Sequence, residues 1–186
     1  MKRNLLGIVL IGLIAMASMG QQECCPATES LYTFSINGDY LVTHIIDANN
    51  VPGIRDILQL NTRASWETGE SNVVSGTIEL LSVQIGSGTP ITPSVPVQAT
   101  MSGQIIPNSD AADFNPFTLN NVPVVIFGQQ QEISLTIDMT GNPAQTVTDC
   151  QKNAQIMGGT ETATSAQIGN LNGSWTAEID TGEGGA

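Results

Sequence analysis

One histidine and a loop rich in Asp and Asn hold the residue types that could support chemistry in this chain. His44 is the only histidine, so a hydrolase built on hydroxyl, imidazole and carboxylate would depend on it. No Gly-x-Ser-x-Gly sequence, which marks the nucleophile of many such hydrolases, accompanies it. We therefore interpret His44 as a structural histidine, placed on the more exposed face of its strand.

The Asp- and Asn-rich loop lies between two predicted strands, from Pro107 to Pro116. Hard oxygen ligands on a loop suit Ca²⁺. The spacing of Asn108, Asp110 and Asp113 matches no EF-hand, and the loop lacks the glycine that such a site requires. We interpret the loop as an Asx-rich turn and expect no cofactor, with calcium binding at these three residues as the alternative.

Three cysteines, Cys24, Cys25 and Cys150, complete the reactive residues. Their spacing is not that of zinc ligands. We expect a disulfide between Cys150 and either Cys24 or Cys25, and the sequence leaves that choice open. The third cysteine is then free or links two chains into a disulfide-bonded dimer.

The N-terminus has the pattern of a secretory signal peptide. Lys2 and Arg3 precede an apolar run, Leu5–Ala15, that is shorter than the roughly 20 residues needed to cross a bilayer, and small residues follow it. We therefore expect a signal peptide over residues 1–20 and a location outside the cytoplasm, secreted or in the cell envelope. An N-terminal arm (21–30), one all-β domain (31–180) and a disordered tail (181–186) are expected to follow.

The charge of the chain restricts its partners. The full sequence has five basic and 17 acidic residues, and removal of Lys2 and Arg3 leaves three against 17, a net charge of −14. Nucleic acids and anionic lipid headgroups recruit positive charge, so an acidic chain excludes them as partners. An extracellular polymer or protein remains as the expected partner.

Strand patterns fill the rest of the chain, and we predict no helix after the signal peptide. Asn37-Gly38 and Asn172-Gly173 have the composition of hairpin turns. In the first hairpin the pairing would place Ile36, Leu41 and Ile45 in the core, and Tyr40, Val42 and His44 on the other face. We predict strands at Leu31–Ile36, Asp39–Ile46, Ile57–Glu67, Val73–Ile85, Val97–Ile106, Val122–Phe127, Glu132–Met139, Thr160–Ile168 and Ser174–Ile179.

This succession of about eight or nine strands predicts an all-β fold. An antiparallel β-sandwich is the first architecture, and a closed or partly open β-barrel is the alternative. Within Ile57–Glu67 the alternation places Trp66 on the apolar face, so we interpret Trp66 as a core residue rather than as part of a platform that stacks sugars together with Tyr40 and Trp175. In Val73–Ile85 the alternation slips at Leu80-Leu81, which predicts a β-bulge.

The composition therefore favours a non-catalytic role. Our first hypothesis is a secreted or cell-envelope β-sandwich that acts as an interaction or structural module. The alternative is a small β-barrel that carries an apolar ligand in a partly unfilled interior. A secreted hydrolase that uses carboxylates or a metal is the third hypothesis, because one histidine and one mature lysine leave few other catalytic groups.

Overall fold

A computed structural model of the protein describes residues 36–106, 112–139, 147–149 and 154–180. Over these residues the chain forms strands joined by turns, with one short 3₁₀ turn at Glu70–Asn72. The all-β expectation is confirmed. The strands are β1 (Gly38–Asp47), β2 (Ile57–Thr68), β3 (Val73–Ile85), β4 (Gln98–Ile105), β5 (Ala112–Phe114), β6 (Phe117–Ile126), β7 (Gln129–Asp138), β8 (Val147–Asp149), β9 (Ala154–Ser165) and β10 (Gly169–Ile179).

These strands form one antiparallel sheet in the order β5-β4-β3-β2-β1-β10-β9-β7-β6, with β8 paired to β9. The sheet curls into a half-barrel, so that β6 lies against β3 and β4 without a backbone ladder to either in the described part. Phe114 on β5 also reaches Trp175 on β10, with ring centroids 5.9 Å apart. The curl therefore gives the sheet an inner face that is buried and an outer face that is open to solvent.

Alternation of apolar and polar residues explains why β2 and β3 form where they do. Along β2, every second side chain from Leu58 to Trp66 is buried. The pairing of β2 with β3 shifts register between Asn61 and Thr62, which leaves Leu81 as the extra residue. The predicted bulge at Leu80-Leu81 is therefore confirmed, and it keeps Ile78 and Val83 both on the inner face.

Four aromatic rings fill the interior. Tyr40 lies 4.8 Å from Trp66 between ring centroids, and Trp66 lies 5.1 Å from Phe114, which in turn contacts Trp175 edge-on. All four side chains are at most 2 % exposed, so they belong to the core, as predicted for Trp66. Burial raises the pKa of the Tyr40 phenol, because desolvation disfavours the phenolate.

The prediction of which face of β1 is buried is wrong. Tyr40, Val42 and His44 are buried, whereas Leu41 is 41 % exposed. Aliphatic residues occur on both faces of β1, and the hydrophobic pattern alone therefore selected the wrong face. The strand is central, with β2 on one side and β10 on the other, and its inner face also carries the buried His44, whose partners lie on β2 and β9.

Both predicted Asn-Gly turns are also wrong. Gly38 begins β1 and pairs with Trp66, and Gly173 lies inside β10, opposite Ile46. The last hairpin turns instead at residues 166–168. The turn between β6 and β7 consists of Phe127 and Gly128, whereas a four-residue turn at Gly128–Gln131 was expected. The polar loop predicted at Pro107–Pro116 contains the short strand β5.

Several expectations concern residues outside the described part of the chain. These are the signal peptide, the N-terminal arm, the first predicted strand over residues 31–35, the tail, the three cysteines Cys24, Cys25 and Cys150, and the loop residues Asn108 and Asp110.

Candidate functional site

A chain of hydrogen bonds crosses the inner face at the centre of the sheet. His44 on β1 contacts Glu161 on β9 through its Nδ1, 2.8 Å from Oε2, and both side chains are fully buried. The other ring nitrogen, Nε2, lies 3.3 Å from Oγ1 of Thr62 on β2. Thr62 is 1 % exposed, and its hydroxyl oxygen lies 3.2 Å from the carbonyl oxygen of Val42. We call Thr62, His44 and Glu161 the buried polar chain.

The direction of these hydrogen bonds depends on which atoms carry a hydrogen. The Thr62 hydroxyl has one hydrogen, which it donates either to the carbonyl oxygen of Val42 or to Nε2 of His44. The tautomer of His44 therefore decides whether Nε2 accepts from Thr62 or donates to it. The contact with Glu161 is a buried hydrogen bond, which is charge-assisted when His44 is protonated.

A glycine on β10 allows the contact between His44 and Glu161. Gly173 lies between Ile46 on β1 and Glu161 on β9 in the register of the sheet. A Cβ at Gly173 would lie 2.7 Å from the carbonyl oxygen of Ile45 and 3.2 Å from Oε1 of Glu161. Glycine therefore lets the Glu161 side chain extend across β10 to reach His44.

We expect Gly173→Ala to destabilise the protein by about 1–3 kcal/mol, because the new methyl group overpacks the core at Ile45 and Glu161. Gly69→Ala is the matched control, since a Cβ there would meet its nearest neighbour at 3.7 Å. Urea denaturation of both variants gives the two free energies of unfolding. Equal values would show that position 173 has room for a side chain.

The buried polar chain has the hydroxyl–imidazole–carboxylate order of a serine-hydrolase triad. A triad acts on a substrate that reaches its hydroxyl group, whereas the Thr62 hydroxyl is buried and already hydrogen-bonded within the core. The expected exposure of His44 is wrong. The structural interpretation of His44 fits these contacts, since one side chain cross-links β1 to both β2 and β9.

Glu161 was not identified from the sequence. A lone carboxylate in a row of threonines resembles a solvent-exposed residue of an acidic chain. The available signal was its phase, because Glu161, Ala163 and Ser165 alternate with the exposed Thr162 and Thr164 and share the buried face of β9. Oε1 of Glu161 has no hydrogen-bond partner among the described residues.

The outer face carries a second organised group of residues, a band of uncharged polar side chains from β3 to β6. They occupy neighbouring positions in the register of seven adjacent strands, with the apolar Ile45 among them. Strands are spaced about 4.8 Å apart, so the band is about 29 Å wide. We call the following residues the neutral band: Thr43, Gln59, Asn61, Ser82, Gln84, Thr118, Thr136, Thr160, Thr162, Thr164, Asn170, Asn172, Ser174 and Thr176.

Hydrogen bonds between side chains hold parts of the neutral band in place. The amide of Asn61 donates to Oγ of Ser82 at 3.0 Å, and its carbonyl oxygen accepts from Gln59 at 3.0 Å. At the other end, the hydroxyl oxygens of Thr118 and Thr136 lie 2.8 Å apart. Such contacts reduce the side-chain entropy lost when a ligand binds.

Carboxylates border the neutral band on both sides. Arg63, Glu79 and Glu178 lie in the next row of the outer face, where Leu41 pairs with both Arg63 and Glu178. Asp47 lies at the opposite border, and Asp138 lies beside Thr162, its partner on β9. The charged residues next to the band are thus mainly acidic, although its own residues carry no charge.

The predicted calcium residues are only partly described. Asp113 lies on β5, where it pairs with Gln104 and is exposed, while Asn108 and Asp110 lie outside the described part. The neighbouring Asn115 uses its amide to bond Ser102 at 2.8 Å. Within the described ranges, no three His, Cys, Asp or Glu residues are grouped as they would be around a metal ion.

The described residues define an all-β protein with a single curled antiparallel sheet. Comparison with protein-family models, curated proteins and solved structures found no match to this chain. No helix among the described residues has the length and apolar character needed to span a membrane.

Proposed function

We propose that this protein is an extracytoplasmic, non-catalytic binding module that attaches to an uncharged, hydroxyl-rich polymer through the neutral band. The observation that carries the proposal is the band itself, a continuous array of hydroxyl and amide groups on a chain whose charged residues are mainly acidic. A repeating array of donors and acceptors fits a repeating ligand such as a polysaccharide.

Charge and aromatic placement support this class of partner. The acidic borders of the band repel polyanions. The aromatic side chains Tyr40, Trp66 and Trp175 are buried, so they offer no stacking surface to a sugar ring. Binding would therefore depend on many weak hydrogen bonds, which add up along a polymer but not on a single sugar.

The alternative functions have less support. An apolar carrier needs an interior that is partly unfilled, whereas four aromatic rings occupy the inner face here. A hydrolase needs an accessible nucleophile, whereas the buried polar chain is closed to solvent.

The test is co-sedimentation of the mature protein with insoluble neutral polysaccharides (cellulose, chitin, starch granules and agarose) and with polyanionic alginate gel. We expect binding to at least one neutral polymer, little change between 0.05 and 0.5 M NaCl, and no binding to alginate. The triple variant Thr162→Val/Thr164→Val/Thr176→Val should lose at least tenfold in affinity, because valine keeps the shape and strand preference of threonine but removes the hydroxyl.

Thr77→Val/Thr100→Val is the matched control, since both threonines are exposed on the outer face and lie outside the neutral band. We expect it to bind as the wild type does, and both variants to melt within a few degrees of the wild type. Binding to none of the neutral polymers, or equal binding by the two variants, would contradict the proposal.

A further inference from the structure

The turn between β6 and β7 holds an aromatic residue in a strained backbone conformation. Phe127 has φ = 52° and Gly128 has φ = 76°, the positive values of a two-residue hairpin turn that favours Asn-Gly. A bulky residue in the left-handed region is strained, because its Cβ lies too close to the following carbonyl oxygen. The Phe127 ring lies over Gly53, but the side chain is still 74 % exposed, so its burial contributes little to the stability of the fold. An aromatic kept under such conditions points to a binding role.

An apolar groove lies beside Phe127. It is lined by Gly53, Ile85, Gly88, Thr89, Ile91 and Val125, and it has a volume of about 290 Å³. The backbone N–H of Phe127 donates to the carbonyl oxygen of Gly53 at 3.2 Å, which places the aromatic at the rim of the groove. A cavity of about 150 Å³ is enough to hold benzene, so the groove is large enough for one phenyl ring.

The loop beside the groove also carries charges of both signs. Arg55 is exposed and makes no ion pair among the described residues. Asp47, at the end of β1, and Asp56, in the connection between β1 and β2, are both exposed. In a chain with few cations, an unpaired Arg55 next to carboxylates is complementary to a second copy of the same surface.

We propose that this end of the sheet is a self-association surface, in which Phe127 of each copy occupies the groove of the other. A ring and a groove that adjoin on one surface allow a two-fold axis to form both contacts at once. The net charge of the chain opposes association. The dimer is therefore weak, and it strengthens with salt as the repulsion is screened.

Phe127→Asn separates binding from folding, because asparagine suits the left-handed turn. We expect this variant to melt about 2–4 °C higher than the wild type and to dimerise at least tenfold more weakly. Sedimentation equilibrium of the mature protein in 0.5 M NaCl measures the dimer, with reductant present so that no disulfide contributes. Val73→Asn, which changes an exposed apolar residue at the far end of β3, is the control and should dimerise as the wild type does.

Ile91→Asp places a charge in the groove and should also weaken the dimer. A mixture of Phe127→Asn and Ile91→Asp chains retains one intact ring and one intact groove, so it should form mixed dimers that neither variant forms alone. A wild type that stays monomeric up to millimolar concentration would overturn the proposal. Dimerisation unaffected by Phe127→Asn would overturn it as well. Polymer binding is measured separately, so either result leaves the neutral band to its own test.

Discussion

Glu161→Ala is expected to destabilise the protein by about 3–5 kcal/mol. Glu161 and His44 are fully buried and 2.8 Å apart, and removing one member of such a pair leaves the other without a partner inside the core. The loss is a large part of the 5–15 kcal/mol that holds a typical domain together. Urea denaturation monitored by circular dichroism measures it.

Two variants show whether this cost comes from the buried charge. Arg63→Gln removes an exposed pair, since Nε of Arg63 lies 2.9 Å from Asp180 and the Arg63 side chain is 50 % exposed. We expect it to cost no more than about 1 kcal/mol. The double variant His44→Leu/Glu161→Leu removes both polar groups and should cost less than Glu161→Ala alone. A double variant less stable than the single one would indicate that the pair itself stabilises the fold.

Trp66→Ala is expected to cost about 3–5 kcal/mol, the range for truncating a buried aromatic residue. Trp66 lies between Tyr40 and Phe114 in the aromatic interior, and its Nε1 donates to the sulfur of Met101 at 3.3 Å. The truncation therefore removes two ring contacts and leaves a cavity where β2 faces β4 and β5. Urea denaturation gives the free energy of unfolding, and near-UV circular dichroism reports the remaining aromatic packing.

Trp66→Phe tests which part of the side chain matters. It keeps an aromatic ring in place and removes the hydrogen bond to Met101, so we expect less than half the loss of Trp66→Ala. If the two substitutions cost the same, the bond to sulfur rather than the ring packing would dominate at this position.

The buried polar chain and the neutral band are linked through the arrangement of the central strands. The buried polar chain joins β1, β2 and β9, and a wrong register would leave its polar groups without hydrogen-bond partners, so we expect it to favour one arrangement of the central strands. The neutral band depends on that arrangement, because its residues become neighbours only when these strands pair as they do.

The alternation of apolar and polar residues, with a period of two, was sufficient to predict most strands of this protein. It identified β2 almost to the residue and located the bulge at Leu80-Leu81, because each depends on a local pattern of buried and exposed side chains. It also placed Trp66 in the core correctly. These features are properties of single strands or of sequential neighbours, and so they could be predicted from the sequence alone.

Only the tertiary structure decided which face of β1 is buried and where the chain turns. Leu41 and Ile45 are as apolar as Val42 and Ile46, so local sequence does not distinguish the faces of a strand that pairs on both sides. Gly173 looked like a turn residue, but it lies within β10 because Glu161, 12 residues earlier, needs the space of its missing side chain. His44 acquires its partner from a residue 117 positions away. Pairings at such separations are set by the packing of the whole sheet, which no local pattern encodes.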